Sequence, residues 1–125
     1  MAIRVPKAAA SADANKVDSD YLACELLALK ADRVSQDAKV QCLTFLRNYL
    51  DQYEDIEKPA DFSSDGEEGL IIEWRRMERY LDLNWPASSS GDPYLYFSTP
   101  STYGVGKPLT AELLRSRLDW LNSED

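Results

Sequence analysis

The sequence predicts an α+β fold in the order ααβββα, in which a three-stranded antiparallel β-meander packs against helices. Apolar residues alternate with polar ones in residues 70–74 and again in 81–85, which is typical of two paired strands with one buried face. A third alternating run, residues 93–97, follows a turn rich in Ser, Gly and Asp. Before and after these strands, apolar residues recur at three- and four-residue steps, which is typical of helices.

Two helices are predicted ahead of the strands. Small and polar residues dominate 1–17, so this stretch is interpreted as a flexible N-terminal arm and 18–122 as a single α+β domain. An Asp or Ser at positions 18–20 can cap the first helix, and Ser35 or Asp37 can begin the second. The expected apolar stripes are Leu22, Leu26 and Leu29 in the first helix and Val40, Leu43, Leu46, Leu50 and Tyr53 in the second.

The first two strands predict a β-hairpin with a defined register. Trp74 is expected opposite Leu81, Ile72 opposite Leu83 and Leu70 opposite Trp85, with all six side chains on one face. Neither Met77 nor Glu78 suits a tight two-residue turn, so a four-residue loop at 76–79 is favoured. After the third strand, residues 98–108 are predicted to be a loop, and Thr110 is expected to cap a last helix.

Charge is distributed unevenly along the chain. The 125 residues carry a net charge of −8, and residues 51–68 hold eight acidic residues and one lysine, so this segment is interpreted as an acidic connector. Direct nucleic-acid binding is disfavoured, because phosphate contacts need clustered Lys and Arg. No apolar run has the length of a membrane span or of a secretory signal, so a cytoplasmic location is expected. Cys24 and Cys42, in a chain without histidine, are interpreted as buried or half-buried thiols.

Several of these elements occur together in a known group of proteins. They are the Asp65-Gly66 turn, the GxxxEW strand at 69–74, the strand at 80–85, the strand at 94–97 and the helix at 109–121. In this combination the chain resembles a broad, poorly characterised group of small bacterial or phage proteins, often encoded near mobile or defence-related genes. The resemblance covers roughly residues 35–122 and implies the α+β scaffold but no catalytic residue. The hairpin turn lacks the glycine often found in the group, and the acidic segment is longer.

Three motifs resemble parts of known ligand-binding or catalytic sites. Residues 61–66 match the first half of a calcium loop, but Ile72 stands where a bidentate carboxylate is required. Residues 104–107 resemble part of a phosphate loop, with Pro108 at the magnesium-binding position. Glu73 and Asp82, expected as cross-strand neighbours, form a carboxylate pair of the kind used in acid–base catalysis. No cofactor and no metal ligand set is predicted.

The most promising candidates are contacts to a protein partner. Tyrosine and arginine dominate binding hot spots, and a Tyr/Arg group is expected on the sheet face opposite the core: Arg75, Arg76, Tyr80, Tyr94 and Tyr96. Acidic residues that can attract a basic partner are Glu54, Asp55, Glu67 and Glu68.

The preferred prediction is a non-catalytic, acidic interaction module. It would be a regulator or inhibitor of the antitoxin, immunity or phage counter-defence type, with a protein partner that is basic or itself binds nucleic acid. The alternative is a small-ligand or metal-binding protein using the 61–66 turn or the 103–108 loop. An enzyme using Glu73 and Asp82 is the third possibility, and the acidic segment can also be a solvated linker without a function of its own.

Overall fold

The computed structural model describes residues 16–87 and 91–123, which form three helices and seven strands. In chain order they are β1 (Lys16–Val17), α1 (Ser19–Ala28), α2 (Gln36–Tyr53), β2 (Ile56–Glu57), β3 (Asp61–Ser64), β4 (Leu70–Arg76), β5 (Arg79–Trp85), β6 (Tyr94–Ser98), β7 (Tyr103–Gly106) and α3 (Ala111–Asn122). Strands β3 to β7 form one antiparallel sheet in chain order, and β1 pairs with β2 in a separate two-stranded sheet. The α+β class is confirmed, but the three-stranded meander is wrong.

The difference from the predicted meander lies in one added strand at each edge. β3 lies inside the acidic segment interpreted as a connector, and it pairs with β4, so that Ser64 is opposite Leu70. β7 lies inside the predicted loop at 98–108 and pairs with β6, so that Gly104 is opposite Phe97. Asp, Ser and Gly are depleted in strands, so their local preference gives no strand signal. These residues become strands because β4 and β6 offer unpaired backbone groups.

The predicted register of the central hairpin is confirmed. Trp74 lies opposite Leu81, Ile72 opposite Leu83 and Leu70 opposite Trp85. The predicted four-residue loop is wrong, since Arg76 still pairs with Arg79 and only Met77 and Glu78 form the turn. Met77 has a φ of 57°, a left-handed conformation that an exposed turn position tolerates at a modest cost.

The helices begin where the sequence predicts. The side chains of Asp18, Ser35 and Thr110 each accept a hydrogen bond from a backbone N–H in the first turn, at 3.0, 3.1 and 3.0 Å. The buried stripe of α2 differs from the predicted one: it consists of Ala38, Lys39, Cys42, Leu46 and Tyr49, and Val40 is 52% exposed. A stripe with Ala38 and Cys42 lets α1 pack close against α2, and this contact determines which side of the helix is buried.

All three helices contribute to one core on one face of the five-stranded sheet. The buried residues of the helices form a single cluster with the inward residues of the sheet, among them Leu70, Ile72, Trp74, Leu81, Leu83, Trp85 and Leu95. Of the predicted N-terminal arm, Lys16 and Val17 belong to β1, and residues 1–15 lie outside the described part, as do residues 88–90 of the predicted turn. Within the described residues, no helix has the length and apolar character required to cross a membrane.

Candidate functional site: the outer face of the sheet

The face of the five-stranded sheet that points away from the helices is called the outer face. Strand alternation places these residues on it: Asp61, Ser63, Ile71, Glu73, Arg75, Tyr80, Asp82, Asn84, Tyr94, Tyr96, Ser98, Tyr103 and Val105. None of these side chains is buried, in contrast to the inward residues of the same strands. The described helices therefore leave this face open to solvent.

Aromatic side chains occupy the half of the outer face formed by β5, β6 and β7. The rings of Tyr96 and Tyr103 are stacked, with centroids 6.1 Å apart and an interplanar angle of 29°. Tyr103 is 76% exposed, and Val105 beside it is 53% exposed. Tyr80 lies on the neighbouring strand, and the guanidinium of Arg75 lies over its ring at 5.5 Å. These groups form a pre-ordered surface of rigid aromatic rings and one cation.

Three carboxylates lie in one row across the outer face. Asp61 pairs with Glu73, and Glu73 pairs with Asp82, so the predicted cross-strand pair of Glu73 and Asp82 is confirmed. The row continues to Tyr96 and Val105. Glu73 also forms an ion pair with Arg75, with Oε1 3.0 Å from Nη2.

Asp82 differs from the other two carboxylates in its surroundings. Its Oδ1 atom is buried and has no hydrogen-bond partner among the described residues. Burial, and to a smaller extent the negative charge of Glu73, together raise the pKa of Asp82 to about 6. Asp82 therefore exchanges its proton closer to neutral pH than an ordinary carboxyl group does, and a cation placed above the row would favour its charged form.

The predicted Tyr/Arg group is only partly brought together. Arg75, Tyr80, Tyr94 and Tyr96 lie on the outer face. Arg76 does not, since it follows Arg75 in the same strand and therefore points to the helical side. Tyr103 and Val105 belong to the outer face but were not among the predicted site residues, because their segment was interpreted as a loop. The alternation of large residues with Gly104 and Gly106 is the signal in the sequence that identifies them.

The four predicted acidic contact residues do not form one patch. Glu54 caps the C-terminal end of α2, and Asp55 follows it. Glu67 and Glu68 lie near the opposite end, since the backbone N–H of Ser35, the N-cap of α2, donates to the carbonyl of Glu68 at 2.8 Å. α2 has 18 residues, so its ends are about 27 Å apart at 1.5 Å per residue. Two separate acidic sites result.

The two segments of the alternative ligand-binding prediction have ordinary strand and turn structure. Asp61 and Ser63 lie along the extended backbone of strand β3, and Asp65 lies beyond its end, so these calcium-loop positions follow a strand instead of surrounding a point. The Asp65 carboxylate accepts hydrogen bonds from the backbone N–H groups of Glu67 and Gly69, at 2.7 and 2.8 Å. Residues 103–106 form β7, so their backbone is an extended edge strand and does not form a phosphate-binding loop.

Comparison with known proteins gives no relative for this arrangement. No family model, no curated protein and no solved structure matches the chain.

Proposed function

We propose that this protein is a non-catalytic protein-interaction module that binds a protein partner through the outer face of its sheet. The observation that carries the proposal is an open sheet face with two ordered groups: the stacked rings of Tyr96 and Tyr103, and the ring of Tyr80 with the guanidinium of Arg75 over it. Tyrosine and arginine are the residues most enriched at binding hot spots. Because they project from paired strands, little conformational entropy is lost when a partner covers them.

The proposed partner is a protein with a basic surface. The carboxylate row of Asp61, Glu73 and Asp82 lies beside the aromatic residues, and among the described residues Arg75 is the one arginine that pairs with it. Lysine or arginine side chains of a partner would neutralise this row. The acidic sites at the two ends of α2 would add a long-range attraction that accelerates association and weakens with salt.

The biological role that we propose is regulation or inhibition of a partner, of the antitoxin, immunity or phage counter-defence type. This role rests on the resemblance of residues 35–122 to small bacterial or phage proteins. The proposed location is the cytoplasm, and neither direct nucleic-acid binding nor membrane association is part of the proposal, in accord with the net charge of −8.

A matched pair of substitutions tests the role of the outer face. Val105 on β7 and Val40 on α2 are exposed to the same extent, 53% and 52%, so Val105→Asp and Val40→Asp introduce the same charge at equally accessible positions. We expect Val105→Asp and Tyr96→Ala to abolish co-purification of the partner from host cells, and Val40→Asp to preserve it. Equal recovery of the partner by all three folded variants would contradict the proposal.

The acidic sites are tested separately, because they lie at opposite ends of α2. One variant carries Glu54→Lys with Asp55→Lys, and the other carries Glu67→Lys with Glu68→Lys. We expect either change to slow association at low salt and to have little effect at high salt, where charges are screened. Unchanged association rates at low salt would remove the acidic sites from the proposal and leave the outer face as the contact.

The carboxylate pair favours a second candidate function. Asp82, with a pKa of about 6, and Glu73 opposite it have the unequal environments that acid–base catalysis requires. If a substrate is found, Glu73→Gln is expected to abolish turnover while the fold is preserved. Retained turnover in that variant would exclude this candidate.

A further inference from the structure

A cavity of about 270 Å³ lies on the helical side of the sheet, where the tip of the β4–β5 hairpin meets the end of α3. Its lining residues come from the segment after β2, from β4 and from the last turn of α3: Glu57, Lys58, Pro59, Trp74, Arg75, Arg76, Leu121 and Asn122. Trp74, Leu121 and Pro59 are buried and form its apolar floor. Lys58 and Arg76 are exposed and form its rim, whereas Arg75 borders the cavity but directs its guanidinium to Glu73 and Tyr80 on the outer face.

The charge of this cavity is opposite to that of the whole protein. Two cationic residues whose side chains do not belong to the outer face, Lys58 and Arg76, line it in a chain whose net charge is −8. Among its described lining residues the one carboxylate is that of Glu57, and it lies 3.3 Å from the ammonium of Lys16, which therefore compensates part of its charge. Neither Lys58 nor Arg76 forms an ion pair with a described residue. The cavity therefore has an excess of positive charge.

The hairpin tip adds an unfavourable interaction that an anion would relieve. Arg76 lies directly opposite Arg79 on β5, and like charges in this position destabilise a strand pair. The guanidinium of Arg79 is held by the end of α3, where it donates to the carbonyls of Trp120 and Ser123. Arg76 has no such acceptor among the described residues and remains available at the cavity rim.

We propose that this cavity binds a small polyvalent oxyanion, either a phosphate ester or a polycarboxylate. Its volume is equivalent to about nine water molecules. The planar guanidinium of Arg76 can donate two parallel hydrogen bonds to an oxyanion. Lys58 can supply a second, compact charge from the rim, since within the described part of the chain its ammonium is held only by a contact with the Tyr21 ring, 5.7 Å from the centroid. The apolar floor accommodates the carbon skeleton of such a ligand. This site is distinct from the outer face: Arg75 borders both, but its guanidinium belongs to the outer face.

Calorimetric titration of the full chain with two probes, pyrophosphate and citrate, tests the proposal at constant ionic strength. Saturable one-site binding of at least one probe is expected. Binding of pyrophosphate alone identifies a phosphate ligand, binding of citrate alone identifies a carboxylate ligand, and comparable binding of both supports the shared oxyanion chemistry. Absence of saturable binding of either probe up to about 10 mM would overturn the proposal.

Substitutions at the rim test whether the probes bind in the cavity. Arg76→Glu and Lys58→Glu are each expected to weaken binding at least tenfold, about the effect of losing one charge-assisted hydrogen bond. Arg76→Lys is expected to weaken it less, because the charge remains and only the paired geometry is lost.

The control is Arg47→Glu, which makes the same charge change at an exposed arginine on α2 and should alter the affinity less than about twofold. An equal loss in Arg47→Glu and Arg76→Glu would show a general charge effect and would exclude the site. Since neither Lys58 nor Arg76 lies on the outer face, these variants should still bind the protein partner.

Discussion

Asp82 lies directly opposite Glu73 on the outer face of the sheet, with its Oδ1 atom buried and without a hydrogen-bond partner among the described residues. Two carboxylates in this arrangement are unfavourable for folding when both are charged. The structure therefore contains a local energetic cost on the sheet face that the described helices leave open. A cost of this kind is typical of a functional surface, where residues are selected for contacts made after folding.

The first prediction concerns the pH dependence of stability. The pKa of Asp82 is raised from 3.8 to about 6, so between these values the folded protein keeps a proton that the unfolded chain has lost. The contribution of Asp82 to stability therefore falls as the pH rises from about 4 to about 6 and is constant above that range. We expect Asp82→Asn to stabilise the protein by about 1 kcal/mol at pH 7, a value reduced for partial solvent screening.

Urea unfolding of the wild type and of Asp82→Asn at several pH values measures this effect. The difference between the two curves should be largest at pH 7 and should vanish near pH 4. Asp61→Asn serves as the control, since it removes the same charge from the exposed end of the same row. A constant difference between wild type and Asp82→Asn at all pH values would show that the raised pKa is not the cause.

The second prediction concerns the hydrogen bond between the two sheets. Nε1 of buried Trp74 donates to the carbonyl of Glu57 in β2 at 2.7 Å. Trp74→Phe leaves that carbonyl without its donor and reduces the packed volume, so a loss of about 2–4 kcal/mol is expected. Trp85→Phe is the matched control: its Nε1 donates to the Gln41 side chain at 3.2 Å, and it lies nearer the surface. Chemical unfolding should give a clearly smaller loss for Trp85→Phe, and equal losses would contradict the assigned role.

The strands of the large sheet show which parts of the fold could be predicted from the sequence. The register of the hairpin was predictable because six large apolar residues alternate in two runs, and only one pairing places them all on one face. Strands β3 and β7 were not predictable, because Asp61–Ser64 and Tyr103–Gly106 have weak strand preference. Their conformation depends on pairing with the neighbouring strands.

The same contrast applies to the candidate site. Arg75, Tyr80, Tyr94 and Tyr96 could be placed on the outer face by strand alternation alone. The separation of the acidic residues could not be predicted, since it depends on Glu68 returning to the start of α2 through a backbone hydrogen bond to Ser35. The cationic cavity was equally hidden, because Lys58, Arg76 and Leu121 come from distant parts of the chain.

The third prediction concerns the close contact between β7 and the core. A Cβ atom added to Gly104 would lie 2.5 Å from Cζ of Phe97, a ring that also packs against Trp120. Gly104→Ala is therefore expected to destabilise the protein by about 1–3 kcal/mol through overpacking. Phe97→Leu shortens the obstructing side chain, so the double variant should lose less stability than the sum of the two single variants. Additive losses in chemical unfolding would show that the two positions are not in contact.

The fourth prediction concerns Arg79, which joins the hairpin to the end of α3. Its Nη1 donates to the carbonyls of Trp120 and Ser123 and lies 2.7 Å from the Ser123 hydroxyl, while its guanidinium lies 5.3 Å from the centroid of the Trp120 ring. A cation at the end of a helix is also favoured by the helix dipole. Arg79→Ala is therefore expected to cost about 1–3 kcal/mol in chemical unfolding.

Two further variants separate the causes of that loss. Arg79→Lys keeps the charge but loses the planar group that reaches several acceptors, so it should restore only part of the stability. Arg75→Ala removes an exposed arginine whose ion pair within the described ranges is the one to Glu73, and it should change stability by less than about 1 kcal/mol. Hydrogen exchange should show faster exchange in the last turn of α3 for Arg79→Ala than for Arg75→Ala. Equal exchange rates there would mean that Arg79 does not hold the end of the helix.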